Sequence, residues 1–117
     1  MIERVGFGVC VLDLELRFVE INPWLAKFNG RSVEDHLGSK LSEIVPDIAE
    51  QVEAILLEVM KTGEPVMNGI VEAATPAFPE ERTFQHDYHV VRSEAGEIVG
   101  VRCVVLDVTA SKHLETG

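Results

Sequence analysis

The last third of the chain carries three runs of β-branched and alternating residues, and these runs constrain the fold more than any other feature. They occupy residues 66–74, 82–92 and 97–109. Their composition does not suit a helix, so each run is predicted to be a strand. A loop with Pro76 and Pro79 separates the first two runs, and a turn at Ala95 and Gly96 separates the last two. The sequence therefore predicts a three-stranded meander.

A hairpin is predicted near the start of the chain. Residues 7–13 and 17–21 have β propensity, and a connection of three residues separates them. The connection lacks the glycine expected in such a turn and has Leu16 instead. Because a leucine disfavours positive φ, the residues leave the geometry of this turn open.

Short helices are predicted to follow the hairpin. Asn22 is suited to cap the first helix, and Pro23 is suited to its first position. Ser32 can cap a second helix that ends at Gly38, and residues 42–45 form another brief turn. The buried stripe of the first helix is predicted to consist of Trp24, Leu25 and Phe28.

The longest helical pattern in the chain runs from Pro46 to Thr62 and is ended by Gly63 and Pro65. The apolar residues at helical spacing are Ile48, Val52, Ile55, Leu56, Val59 and Met60. Two strands, a helical middle and three further strands predict an α+β fold, in which an antiparallel sheet carries the helices on one face.

The length and charge of the chain restrict its class. With 117 residues, of which 46% are hydrophobic, the chain is expected to form one domain. Its net charge of −10 opposes contact with nucleic acid or anionic lipid, which attract clustered Lys and Arg. No apolar stretch approaches the roughly 18 residues that cross a bilayer, and the N-terminus lacks the pattern of a signal peptide. We therefore expect a soluble, cytoplasmic domain that contacts neither nucleic acid nor membrane directly.

The two cysteines, Cys10 and Cys103, each lie within an apolar run rather than in a metal-binding or redox motif. Buried thiols in a reducing compartment are the default expectation. A disulfide stays open as an alternative if the two strands are neighbours, because a bridge needs close Cα atoms and an oxidising setting.

Several of these features occur in the order typical of PAS domains, the sensory modules of signalling proteins. The chain resembles that family in Asn22 and Pro23, Gly30, Gly38, the long central helix, Gly96, Gly100 and the ending Asp107-Val108-Thr109. The resemblance predicts a flanking segment at residues 1–6, a PAS domain at 7–109 and the start of an output helix at 110–117.

The resemblance implies a cupped five-stranded antiparallel sheet whose concave face and helices enclose a small cavity, the candidate sensor site. The opposite sheet face would meet a flanking helix or a second subunit. Because side chains alternate along a strand, Phe84, His86 and Tyr88 share one face of theirs. The predicted cavity residues are Val52, Leu56, Met67, Phe84, His86 and Cys103.

Asp107 and Thr109 are the predicted output residues. In the family that the chain resembles, this ending passes a change in the domain into an effector helix. Thr109 is suited to cap that helix through its hydroxyl. Ala110 replaces the acidic residue that usually follows, which removes a favourable charge from the first helical turn.

The residues disfavour the cofactors of several PAS relatives. Haem-binding relatives use a histidine on the long helix, and residues 47–61 contain none. His36 lies in the preceding short helix and is expected to be solvated. Covalent flavin relatives use a cysteine in the stretch that corresponds to residues 39–45, which has none. A flavin bound without covalent chemistry is left open, and the cofactor is unknown.

A metal site and a catalytic site both find little support in the sequence. His86 and His89 are three apart on a strand and point to opposite faces, so they do not readily hold one ion. We find no GxSxG elbow, phosphate-binding glycine loop or identifiable Cys/His pair. A small isomerase or hydrolase with His86 or Asp87 as the base is kept as the enzyme alternative.

The leading interpretation is a non-catalytic sensory module of a bacterial signalling protein with several domains. The parent protein would be a sensor histidine kinase of a two-component system, a cyclic-dinucleotide enzyme or a transcription regulator. The module would bind a small molecule, form a homodimer, or do both, and would act on an effector domain in the same chain. A dimerisation module with a filled core and no ligand is the second hypothesis.

Overall fold

In the computed structural model, residues 6–109 are described, and they form a five-stranded antiparallel sheet with four helices. The strands are β1 (Gly6–Asp13), β2 (Phe18–Ile21), β3 (Val66–Thr75), β4 (Phe78–Arg92) and β5 (Ile98–Asp107). The helices are α1 (Pro23–Asn29), α2 (Val33–His36), α3 (Leu41–Ile44) and α4 (Pro46–Thr62). The strand order is β2-β1-β5-β4-β3, so the first and last strands are neighbours. The predicted α+β class is confirmed.

Helix α4 has the predicted bounds, because Pro46 supplies a preset φ at its start and Gly63 a left-handed cap at its end. Its buried residues are Ala49, Val52, Leu56, Val59 and Met60. Ile55, which also belongs to the apolar pattern of this helix, is 41% exposed. Ile55 lies one position from Leu56 and is therefore rotated about 100° away from the buried stripe. Within residues 6–109, no helix is both long and apolar enough to span a bilayer.

The first turn is stabilised by an aspartate instead of a glycine. Leu16 has a φ of 63°, in the left-handed region. A carboxylate oxygen of Asp13 accepts hydrogen bonds from the backbone N–H groups of Glu15 and Arg17, at 2.8 and 3.0 Å. The left-handed backbone conformation of a non-glycine residue costs about 1–2 kcal/mol, which is comparable to the 1.5–3 kcal/mol that burying a leucine side chain contributes. Leu16 is only 6% exposed, so burial offsets the backbone cost.

The predicted loop around Pro76 and Pro79 is instead a tight turn, and β4 begins at Phe78. The Thr75 hydroxyl accepts from the Phe78 N–H at 3.2 Å, and the Phe78 ring lies 4.5 Å from that of Phe28. These contacts stabilise the pairing of β3 with β4 immediately after the turn. Pro79 is tolerated in β4 because the pairing of β4 with β5 begins only at Phe84, which leaves one side of the strand unpaired here.

His36 is fully buried, so the expectation of a solvated residue was wrong. Its Nδ1 lies 2.8 Å from the carbonyl oxygen of Ser32, and its Nε2 lies 3.2 Å from the Asn29 side-chain nitrogen. The carbonyl can only accept, so Nδ1 carries the proton and Nε2 accepts from Asn29. The ring edge also packs on Phe18 at 4.9 Å. The histidine thus links α1 and α2 within the core.

Helix α1 lies unusually close to β1 because residue 8 is a glycine. A Cβ atom at Gly8 would stand 2.9 Å from the Leu25 Cβ, closer than real carbon contacts allow. The Asn22 side chain fixes this approach, since its oxygen accepts from the Leu25 N–H and also from the Val9 N–H, both at 3.2 Å. The predicted cap of α1 is confirmed.

We expect Gly8→Ala to lower the free energy of unfolding by about 1–3 kcal/mol, because the added methyl overpacks the contact with Leu25. Gly69→Ala is the matched control, since a Cβ there would meet its nearest atom at an ordinary 3.5 Å. Urea denaturation of both variants measures the effect. Equal midpoints for the two variants would contradict the close approach of α1 to β1.

Candidate functional site

A cavity of about 50 Å³ lies between the inner face of the sheet and the helices. Its floor is formed by Cys10 and Leu12 of β1, Phe84, His86 and Tyr88 of β4, and Cys103 and Val105 of β5. Its roof includes Leu25 and Phe28 of α1 and Val52 and Leu56 of α4. The antiparallel registers that place Cys10 opposite Cys103, and Cys103 opposite Tyr88, bring the three central strands together beneath the helices.

Five of the six residues predicted for the cavity line it: Val52, Leu56, Phe84, His86 and Cys103. Met67 does not, and its side chain is 54% exposed. Strict alternation counted back from the buried Val71 would point Met67 inward. A bulge between Val66 and Gly69, with Asn68 at a φ of 58°, inserts one extra residue and reverses the alternation.

The contribution of the short elements to the cavity wall was not predicted from the sequence. Phe18 of β2, Leu41 of α3, and Val45 just before α4 also line the cavity. Their apolar character was the available signal. No periodicity in segments this short could assign their faces, because a four-residue helix makes little more than one turn.

A histidine and a tyrosine form the polar part of the floor. The Tyr88 hydroxyl lies 2.7 Å from Nδ1 of His86, and both side chains are buried. Nε2 of His86 has no hydrogen-bond partner among the described residues. Burial lowers the pKa of His86 to about 4 against the opposing charge of Asp87, and burial also raises the pKa of Tyr88. Both groups are therefore neutral near pH 7.

Asp87 and His89 lie on the other face of β4. The Asp87 carboxylate accepts from the Asn68 N–H at 2.8 Å, so it supports the bulge of β3 rather than the cavity. His86 and Asp87 therefore do not share a site in which they could act together as acid and base. In residues 6–109, no three His, Cys, Asp or Glu side chains come together as a metal site.

Cys10 and Cys103 are both buried free thiols. They lie directly opposite each other on β1 and β5. The hydrogen bond to Cys10 and burial raise the pKa of the Cys103 thiol well above its ordinary value. A neutral thiol is a weak nucleophile, so Cys103 adds soft apolar surface to the cavity rather than reactivity.

The predicted output residues form a compact polar cluster at the end of β5. The Thr109 hydroxyl donates to the Asp107 carboxylate at 2.6 Å and accepts from the Thr83 N–H at 2.9 Å. Arg82 donates to the same carboxylate at 2.7 and 2.9 Å. Burial raises the pKa of Asp107, but these hydrogen bonds outweigh it and hold the pKa below its ordinary value. The predicted helix at 110–117, including Ala110, lies outside the described residues.

Arg82 also connects this cluster to the cavity wall. Its guanidinium lies 5.0 Å from the centre of the Phe78 ring and 5.8 Å from that of Phe28. Phe28 lines the cavity and packs edge-on against Phe84 at 5.4 Å. Arg82 thus contacts both Phe28 and Asp107, so a displacement of Phe28 would move the side chain that bonds to Asp107.

A family model for the PAS fold matches residues 2–113, nearly the whole sequence. The chain therefore belongs to the PAS family, and the resemblance seen in the sequence is confirmed. PAS domains are generally sensory and non-catalytic, and they occur in histidine kinases and regulators. No curated protein matches the sequence significantly.

Solved structures of PAS proteins share this fold. The PAS domain of BvgS from Bordetella pertussis is 20% identical with a TM-score of 0.75, and the match covers 95% of this chain and 84% of that one. A sensory box sensor histidine kinase from Vibrio cholerae is 19% identical with a TM-score of 0.72, over 88% and 82% of the two chains. The Vibrio cholerae VqmA dimer is 22% identical with a TM-score of 0.74, over 91% of this chain and 47% of that one. This chain therefore spans about half the length of VqmA, and identities this low establish the fold alone.

The lowered pKa of His86 predicts a pH-dependent stability. Between pH 6.5 and about 4 the unfolded chain binds a proton at His86 that the folded chain does not, so the free energy of unfolding falls as the pH falls through this window. The loss reaches about 3 kcal/mol at the lower end. Urea denaturation across this pH range should show a steeper loss for the wild type than for His86→Phe, which lacks the titrating group. Parallel curves for the two proteins would contradict the buried neutral imidazole.

Proposed function

We propose that this PAS domain is a sensory module that binds a small molecule in the cavity and passes the resulting change to an effector through the end of β5. The observation that carries the proposal is a buried, largely apolar cavity with one polar atom, Nε2 of His86, that lacks a partner among the described residues. A buried polar group is usually satisfied, so this one favours a binding site over a filled core.

The volume of the cavity supports a link between binding and movement. An engineered apolar cavity of about 150 Å³ accepts benzene, whereas this one measures about 50 Å³. A ligand larger than a few atoms therefore has to displace roof residues such as Phe28. Because Phe28 packs beside Arg82, which bonds to Asp107, such a displacement would bias the output cluster.

The similar structures favour the same interpretation. VqmA has been solved bound to DPO, and also as a complex with ligand and DNA. This chain matches only about half of VqmA, and other PAS structures belong to histidine kinases. We propose by analogy that this domain regulates an effector within a longer signalling protein.

A cavity-filling variant tests the proposal. Val52→Phe adds an aromatic ring at a buried cavity residue of α4, and Leu57→Phe adds it at a position that is 48% exposed on the same helix. The wild type and Leu57→Phe should retain a co-purifying small molecule in native mass spectrometry, or a thermal shift with compounds of a metabolite library. Val52→Phe should lose both, provided that circular dichroism shows the helices intact.

A wild-type protein with neither a co-purifying molecule nor a thermal shift would contradict ligand sensing. The remaining candidate would then be a dimerisation module. An apolar patch on the outer face of the sheet supports that second function: Phe7 pairs with Leu106, and Val9 pairs with Val104. Phe7 is 48% exposed, which is high for a phenylalanine.

If a homodimer forms through this patch, Val104→Lys should convert it to a monomer, because two copies would bury like charges opposite each other. Val99→Lys is the control, since Val99 is exposed on the same strand roughly 17 Å away. Analytical ultracentrifugation of both variants measures the result. A dimer that survives Val104→Lys would show that the interface lies elsewhere.

A further inference from the structure

We infer that the ligand class of this cavity is a compact, uncharged and mainly apolar molecule with a hydrogen-bond acceptor, which accepts a hydrogen bond from the Nε2–H group of His86. The inference rests on the proposed function of ligand sensing. It assigns to His86 the polar contact of the site, and to Tyr88 the role of a positioning residue that fixes the histidine tautomer.

The hydrogen-bond inventory determines which ring nitrogen carries the proton. Within residues 6–109, the Tyr88 hydroxyl has one hydrogen-bond partner, Nδ1 of His86 at 2.7 Å. If Nδ1–H donated to the tyrosine oxygen, both the tyrosine proton and Nε2 would be left without a partner. If the tyrosine donates to Nδ1, only the Nε2 proton is left. The second arrangement leaves fewer buried groups unsatisfied, so the cavity presents a donor and requires an acceptor from the ligand.

The electrostatics of the wall exclude a charged ligand. None of the residues that line the cavity is Asp, Glu, Lys or Arg. Burial keeps His86 neutral at ordinary pH, so the wall offers no charge to compensate a carboxylate or an ammonium. A carbonyl, ether or hydroxyl oxygen meets the requirement without carrying charge into the cavity.

The remaining surface is suited to an apolar molecular body. Apolar side chains form most of the wall, together with the thiols of Cys10 and Cys103. Asn29 also lines the cavity, but its side-chain nitrogen is engaged by His36 at 3.2 Å. The recognition pattern is therefore an apolar body with an oxygen directed at the centre of β4.

Two ring molecules of the same shape test the inference. Cyclobutanone carries a carbonyl oxygen where methylenecyclobutane carries a CH₂ group. The ratio of their dissociation constants is measured by NMR titration with the wild type and with His86→Phe. Comparing the two ratios cancels the difference in hydration between the molecules, because it is the same for both proteins. We expect the preference for the ketone to fall about tenfold in His86→Phe, the contribution of one buried hydrogen bond.

Nitrogen-15 spectra of the His86 ring test the inference in the wild type, so this measurement does not depend on whether His86→Phe folds. In the wild type we expect a protonated Nε2 and an unprotonated Nδ1, with the Nε2 proton shifting downfield on addition of cyclobutanone but not of methylenecyclobutane. Tyr88→Phe should allow both tautomers, whereas a merely structural effect would leave the tautomer unchanged.

Three results would overturn the inference: a protonated Nδ1, an unchanged ratio in His86→Phe, or failure of both probes to bind the wild type. The last result would assign the Nε2 proton to a buried water molecule. Each of these three results is distinguishable from a failure of ligand sensing itself. Ligand sensing is tested separately, by the co-purifying molecule or thermal shift of the wild type and by its loss in Val52→Phe.

Discussion

The antiparallel pairing of β1 with β5 is the interaction on which the rest of the structure depends. It joins the first and last strands of the described chain, residue by residue, from Gly6 opposite Asp107 to Asp13 opposite Gly100. Without it, the amino-terminal hairpin and the three-stranded meander would be separate sheets, each with an uncovered apolar face. The pairing also sets Cys10 beside Cys103 and so builds the centre of the cavity floor. The same β1–β5 register therefore determines both the fold and the cavity. A slip of this pairing by one residue would turn the inward side chains to the outer face.

The cavity combines an apolar interior with Nε2 of His86, which has no partner among residues 6–109, and the two properties have opposite effects on stability. Apolar packing around the cavity stabilises the fold, whereas an unpaired buried donor costs about 1–3 kcal/mol. A protein selected for stability alone would replace His86 with an apolar residue. A protein that binds a ligand recovers this cost on binding, which makes the ligand a stabiliser of the conformation that accepts it.

Local chemistry in the sequence predicted most of the fold. Proline, asparagine and glycine at helix ends act within a few residues, so α1 and α4 were predictable from Asn22 and Pro46. Alternation and helix periodicity grouped the cavity residues by face, the resemblance to PAS domains implied which face is inward, and five of the six line the cavity. The failures arose where distant contacts prevail: the bulge at Asn68 reversed the orientation of Met67, and packing against Phe18 buried His36. No local pattern contains those partners.

The strand order also fixes where the described sheet begins and ends. Because Gly6 pairs with Asp107, the chain enters and leaves the sheet at the same corner. Residues 6 and 107 therefore lie side by side at one end of the paired strands β1 and β5. If β1 slid along β5, the position of residue 6 relative to residue 107 would change. A small sliding movement of this kind would require neither strand to unfold.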